Sequence, residues 1–234
     1  MKFYLFKEAC STKEIGPNYP QIQKWKPGYK EDKPDSYYSY YEASSKGSNF
    51  PPFVPDLDGL VMCNSAKPTD IISSILSIGY IINEKTKIII EQFKFPSYKL
   101  YPTKIIHKNL ELKNYYLLHI ASDNKDYLDF IDYDRSIFIT AGVARDHPQN
   151  IAITSKQQYL ETSRKLQNDF SVNKSNYCTI FAEKICFNSE FDKNLDFFTA
   201  PFGVDNYISY NLKCALIENG ITGCDIEATN RILI

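Results

Sequence analysis

Apolar and polar positions alternate most legibly between Tyr207 and Ile226, where the chain spells strand, helix, glycine stop and strand in succession. Ile208, Leu212, Ala215 and Leu216 recur at the helical period and so share one face. Ser209 occupies the N-cap position, where its hydroxyl can accept an unpaired N–H of the first turn. Gly220 follows the last periodic residue, a position where a left-handed backbone ends a helix and where Ile221 can fold back on the last turn. Cys224 and Ile226 then alternate with Asp225 and Glu227, which predicts a half-buried strand.

A second block with the same pattern runs from Tyr80 to Tyr101. With Asn83 set over Ser209, residues Ile82, Thr86, Ile89, Ile90 and Phe93 overlie Ile208, Leu212, Ala215, Leu216 and Asn219. The stripes coincide although identities are few (Ile82 with Ile208, Lys87 with Lys213), so the two blocks read as a helix-strand pseudo-repeat.

Elsewhere the pattern predicts shorter elements. Residues 2–7 alternate as a first strand. From Gly16 to Pro55 the prolines at 17, 20, 27, 34, 51, 52 and 55 stiffen a tyrosine-rich stretch, so residues 16–64 read as an ordered Pro/Tyr-rich N-terminal arm packed on the core. Within it Tyr37, Tyr38, Tyr40 and Tyr41 suit a short strand or an exposed aromatic patch. Thr69 or Asp70 is placed to cap a short helix through Ile71, Ile72, Ile75 and Leu76 that ends at Gly79. Strands follow at 103–106, 115–120 and 136–140. Ser155 and Gln158 form a capping-box pattern opening a helix with Tyr159, Leu166 and Phe170 inward, and 178–187 alternates as a strand. Runs of strands interrupted by a few helices predict an α+β class: one domain, residues 1–234, with a mixed, mainly antiparallel sheet and three or four helices.

Composition narrows the function classes. A formal net charge of −1 with no basic stripe argues against a nucleic-acid binder that works by neutralising phosphates. The absence of a long apolar run, and a start interrupted by Lys7 and Glu8, predict a cytoplasmic protein with no membrane association. Six cysteines without a C-x-x-C pair read as buried reduced thiols. Aromatic residues make up 15% of the chain, a richness that suits recognition surfaces but is explained more simply by a lysine-, isoleucine-, asparagine- and tyrosine-heavy codon bias.

Chemistry-bearing motifs are sparse. Nine scattered glycines build neither a P-loop nor a dinucleotide fingerprint, so no nucleotide cofactor is expected. His119 lies inside a strand, where a hydrogen-bonded structural histidine is the simplest reading, and His147 reads as part of a turn. The aspartates at 123, 126, 129, 132 and 134 lack the EF-hand spacing and its glycine, so a solvated acidic surface is expected and no metal. An enzyme or ligand-binding protein would have to assemble a site from remote residues such as His119, Asp146, His147 and one cysteine.

The cap serine, the run Leu212-Lys213-Cys214-Ala215-Leu216-Ile217-Glu218, and Gly220-Ile221-Thr222-Gly223 before a final acidic strand together resemble the C-terminal signature of an immunity-protein family. That family belongs to bacterial polymorphic-toxin and contact-dependent competition systems. The block from Tyr80 to Pro102, followed by the strand Tyr115 to Ile120, is similar to the family's central part. The resemblance covers roughly residues 70–140 and 178–230, and its motifs are structural. It implies a cytoplasmic, non-enzymatic protein without a cofactor that binds and neutralises a cognate protein toxin. The expected contact surface is the stretch from Ala121 to Asp134, which carries five aspartates against one lysine. There Asp123, Asp126, Asp129, Asp132 and Asp134 would steer a basic toxin cleft while Tyr127, Phe130 and Tyr133 anchor it.

Overall fold

The computed structural model describes residues 2–46, 50–121, 127–142, 146–173, 178–202 and 205–234, the side chains of 170–173 excepted. Asp123, Asp126 and the Phe170 side chain, all singled out above, lie outside the described residues. The fold is α+β, with three mostly antiparallel sheets and few helices. The helices are α1 (Thr12–Ile15), α2 (Tyr37–Ser45), α3 (Glu84–Ile90), α4 (Lys156–Asn173) and α5 (Tyr210–Glu218). One sheet orders β11 (Phe197–Thr199), β12 (Asn206–Ser209), β1 (Phe3–Glu8) and β13 (Cys224–Ala228). A second orders β14 (Ile232–Leu233), β10 (Thr179–Cys186), β8 (Ile137–Ala141) and β9 (Gln149–Ile151). The six-stranded sheet orders β2 (Ile22–Trp25), β3 (Asp58–Met62), β6 (Tyr98–His107), β7 (Leu110–Ile120), β5 (Tyr80–Asn83) and β4 (Ile71–Ile72).

The two sequence blocks have the same topology. In one, β12 and β13 flank β1 and both run antiparallel to it, with α5 joining them. In the other, β5 and β6 flank β7 in the same way, joined by α3. Each is a split β-α-β unit whose outer strands are parallel and whose middle strand comes from outside the block. The caps also correspond: Asn83 Oδ1 accepts the Thr86 N–H at 3.0 Å, and Ser209 Oγ accepts the Leu212 N–H at 3.1 Å. Ile82, Ile89 and Ile90 of one unit and Ile208, Leu212 and Leu216 of the other form one apolar cluster, so the units are packed helix to helix. Ala215, expected on the buried stripe, is only half-buried at its edge.

The closing helix ends as its sequence predicts. Gly220 has φ +59, its N–H bonds the Ile217 carbonyl, and the Ile221 N–H bonds the Leu216 carbonyl at 2.9 Å, the Schellman pairing that closes a last turn. Leu216 is 3% exposed. Leu216→Ala should therefore cost about 2 to 5 kcal/mol in urea unfolding, the range for truncating a core leucine. A cost within a few tenths of a kcal/mol would contradict the packing described here.

Several expectations are corrected. The segment after Asp70 is not a helix: Ile71 and Ile72 form β4, paired with Ile82 and Ile81, and both side chains are buried. On the strand they point to opposite faces, Ile71 into one apolar cluster and Ile72 into another, so the pair reads as buried without helical spacing. Residues 16–64 are not an arm laid over a core but part of one, since they supply β2, α2 and β3, and β3 lies between β2 and β6. Ile22, Tyr40 and Leu60 there are completely buried. The tyrosine run is neither strand nor exposed patch; it is the helix α2, with Ser36 Oγ accepting the Ser39 N–H at 3.1 Å. Tyr37 and Tyr40 face inward, and Tyr38 and Tyr41 outward. Of the six cysteines only Cys186 is buried, and Cys10 is exposed. At α4, Ser155 Oγ accepts the Gln158 N–H at 3.2 Å, but Gln158 reaches back to the Thr154 N–H instead of closing the box on Ser155. Tyr159 and Leu166 pack partly buried against the core, as their spacing predicts.

Candidate functional site

The acidic stretch separates its two residue types. Tyr127, Phe130 and Tyr133 pack against the core formed by Leu128, Ile131 and Phe138, and the Tyr133 hydroxyl donates to the Leu128 carbonyl at 3.0 Å. Asp129 is exposed and pairs with Lys156 at 2.6 Å; Asp132 is half-buried and pairs with Arg135 at 3.6 Å; Asp134 is exposed. The structure thus brings the three aromatic rings to the core side and, among the described residues of this segment, leaves Asp129 and Asp134 as the exposed carboxylates.

The remote constellation does not assemble. Asp146 and His147 are exposed between β8 and β9, whereas His119 is buried in the six-stranded sheet. His119 Nδ1 lies 2.8 Å from the Tyr40 hydroxyl, which is also 2.8 Å from the Tyr101 hydroxyl. Burial, and then the Lys99 charge, push the imidazole down to about 4, so it is neutral at physiological pH. This is the structural histidine its strand context predicts. Among the described residues no three His, Cys, Asp or Glu side chains converge to hold a metal ion.

A cleft of about 670 Å³ opens elsewhere, where the end of β1 meets the start of β5, the end of β7 and the β11–β12 hairpin. Tyr4, Phe6 and Glu8 share one face of β1 by strand alternation, and β1 runs between β12 and β13. Tyr4 and Phe6 are buried on that face, which carries Glu8 in among apolar neighbours. Phe6, Tyr80 and Phe197 stand edge to face around it, with Phe6 and Tyr80 centroids 5.4 Å apart. The Tyr80 hydroxyl accepts from Asn206 Nδ2 at 2.5 Å, and Asn206 Oδ1 accepts from Thr199 Oγ1 at 2.7 Å, which orients both groups.

Glu8 itself is poorly compensated. Its only hydrogen bond among the described residues is a long one, donated by the Tyr19 hydroxyl at 3.5 Å. Burial pushes its carboxyl up to about 7, and the Tyr19 contact only partly offsets that. Burial, with the Glu8 charge next, also raises the Tyr19 and Tyr80 phenols. Nearby charges already have partners: Lys7 binds Glu227 at 3.1 Å, and Asp205 is paired with Arg231. The sequence reading missed Glu8, Tyr19, Tyr80 and Asn206. The signal that could have found Glu8 is its phase, two residues beyond Phe6 on an apolar strand face.

No family model matches this chain, and no curated protein is significantly similar to it.

Proposed function

We propose that this chain is an immunity protein: a cytoplasmic, non-enzymatic partner that neutralises a cognate bacterial toxin by masking its active or substrate-binding surface. The reading is supported by the closing block. Its Ser209 cap, Schellman turn at Gly220 and acidic strand β13 are the parts on which the family resemblance rests, and all are formed. No helix among the described residues is long and apolar enough to cross a membrane. The test is co-expression with toxin domains taken from the neighbouring coding sequences, reading survival of the cells and recovery of a complex. Survival with a complex is expected; death of the cells without any complex would refute the proposal.

Within this reading Asp129 and Asp134 are the exposed carboxylates among the described residues of the 121–134 stretch, Asp129 in a surface ion pair with Lys156. Replacing both with Asn should slow association with the toxin by roughly threefold to tenfold at low salt and leave dissociation unchanged, as expected for charges that act on encounter. Stopped-flow association at low and physiological ionic strength decides it, and identical rates at both would place the interface elsewhere.

A second reading, a small enzyme or ligand-binding protein, draws on the cleft at Glu8, which has convergent polar groups and a perturbed carboxyl.

A further inference from the structure

We infer that the cleft at Glu8 is a receptor for a single cationic side chain, a lysine or arginine, of the protein partner. The identity of the partner rests on the immunity reading; the chemistry of the site does not.

Three observations carry it. First, a half-buried carboxylate is costly to leave without a cation or several donors, and Glu8 has one long hydrogen bond and no ion pair among the described residues. Second, the neighbouring charges are already engaged. Lys7, the preceding residue on the strand, also lines the cleft, and its ammonium holds Glu227 at 3.1 Å. Asp205 and Arg231 neutralise each other, and Arg231 also donates to the Ala182 carbonyl at 2.7 Å. Third, the surroundings suit a cation. Phe6, Tyr19 and Tyr80 line the cleft, and an aromatic face attracts ammonium and guanidinium groups through its quadrupole. Tyr19 is 55% exposed, so the cleft is open where a long flexible side chain would enter.

An anionic ligand would meet Glu8 head on, and an apolar one would leave the carboxylate unpaired. A cation satisfies it. Binding should couple to protonation. Facing Glu8 are Tyr19, Tyr80 from β5 and Cys224 from β13, all of which burial holds neutral, while His119 at the cleft wall is also neutral. Cys10 and the charged Lys7 and Asp205 line the cleft as well, the last two held in ion pairs with Glu227 and Arg231; the Glu8 carboxyl, raised to about 7, ionises near neutrality, and a bound cation should drive its proton off.

The experiment has two arms. In the first, N-acetyl-argininamide and N-acetyl-lysinamide are titrated into the wild-type protein and Glu8→Gln, with N-acetyl-glutaminamide as the neutral control, and NMR shifts of Tyr19, Tyr80 and Glu8 are followed at pH 6 and pH 8. The two cationic probes should shift these signals in wild type only, more strongly at pH 8, and the neutral control should not. In the second, dissociation from the toxin is timed for wild type, Glu8→Gln and Tyr19→Ala; each variant should dissociate at least about tenfold faster, as for a central anchor. Far-UV circular dichroism confirms that both variants are folded. A toxin that binds wild type and Glu8→Gln alike would overturn the inference while leaving the immunity reading standing. Probes that bind through Glu8 while no toxin complex forms would sustain the cation site and sink the immunity reading. Probes that shift both proteins equally, or neither, would remove the cation site itself.

Discussion

Gly223→Ala should destabilise the protein by about 4 kcal/mol or more, whereas Gly220→Ala should cost only about 1 kcal/mol, because a left-handed backbone and a steric overlap combine at the first and not at the second. Both glycines have positive φ, +87 at Gly223 and +59 at Gly220. A β-carbon on Gly220 would meet nothing within 4 Å, so only the backbone preference is lost. On Gly223 it would lie 1.8 Å from the Ile71 carbonyl oxygen and 2.8 Å from Thr69 Oγ1. That carbonyl cannot step aside, since this is where the two split units are latched. The Ile71 N–H donates to the Thr222 carbonyl at 3.0 Å, and both the N–H and hydroxyl of Thr222 donate to Asp70 Oδ2 at 2.8 Å. Gly223 also donates to Glu14 and accepts from the Ala9 N–H at 3.0 Å. Urea midpoints of the two variants at one pH make the comparison. Equal losses would mean that the close approach of Gly223 to β4 is not a feature of the folded protein.

What the sequence made legible was local. Ser209, the Leu212 and Leu216 stripe and Gly220 all lie within one helix and its ends, so cap, period and stop could be read without knowing what the helix packs on. The segment after Asp70 failed for the opposite reason. Thr69 and Asp70 do offer capping oxygens, but Thr69 Oγ1 donates to the Ile71 carbonyl and accepts from Gln21 Nε2, and Asp70 is taken by Asn83 and by Thr222, so that Gln21 and Thr222 from distant chain claim both. The tyrosine run carried a helical signal of its own: Tyr37 and Tyr40 are three apart, and none of the surrounding prolines falls inside Tyr37–Ser45. Tyr127 and Phe130 flank a single tight turn at Leu128–Phe130, which brings both rings to the core, whereas Tyr133 lies beyond it, after an extended Ile131, and is held to the core side by its hydroxyl donating to the Leu128 carbonyl. The cleft could not be read at all from local pattern. Glu8 becomes part of a site only because β12 and β13, from the far end of the chain, take places on either side of β1.

Glu8→Gln should stabilise the protein by about 1 to 3 kcal/mol at pH 8 and leave it unchanged at pH 4, given a carboxyl raised from an ordinary 4.5 to about 7. The sign follows from proton counts. Between pH 4.5 and 7 the folded protein holds the Glu8 proton more tightly than the unfolded chain, so stability falls as pH rises through this window, and above it the full cost of the buried charge is present. His119 acts the other way. Its imidazole falls from an ordinary 6.5 to about 4, so between those values the unfolded chain holds more protons and stability rises with pH, by up to about 3 kcal/mol. In the wild-type protein the two slopes oppose each other where the windows overlap, and stability should be nearly flat across it. Glu8→Gln removes one of them, so its stability should climb from pH 4 to 6.5 and then level off. Urea unfolding of both proteins at pH 4, 5.5 and 8 is the measurement. A variant no more stable than wild type at pH 8 would show that Glu8 is solvated or paired in solution, and the uncompensated carboxylate on which the cation site depends would not exist. A gain confined to high pH would instead mark a residue that lowers the stability of the free protein, a cost that a cationic partner entering the cleft would relieve.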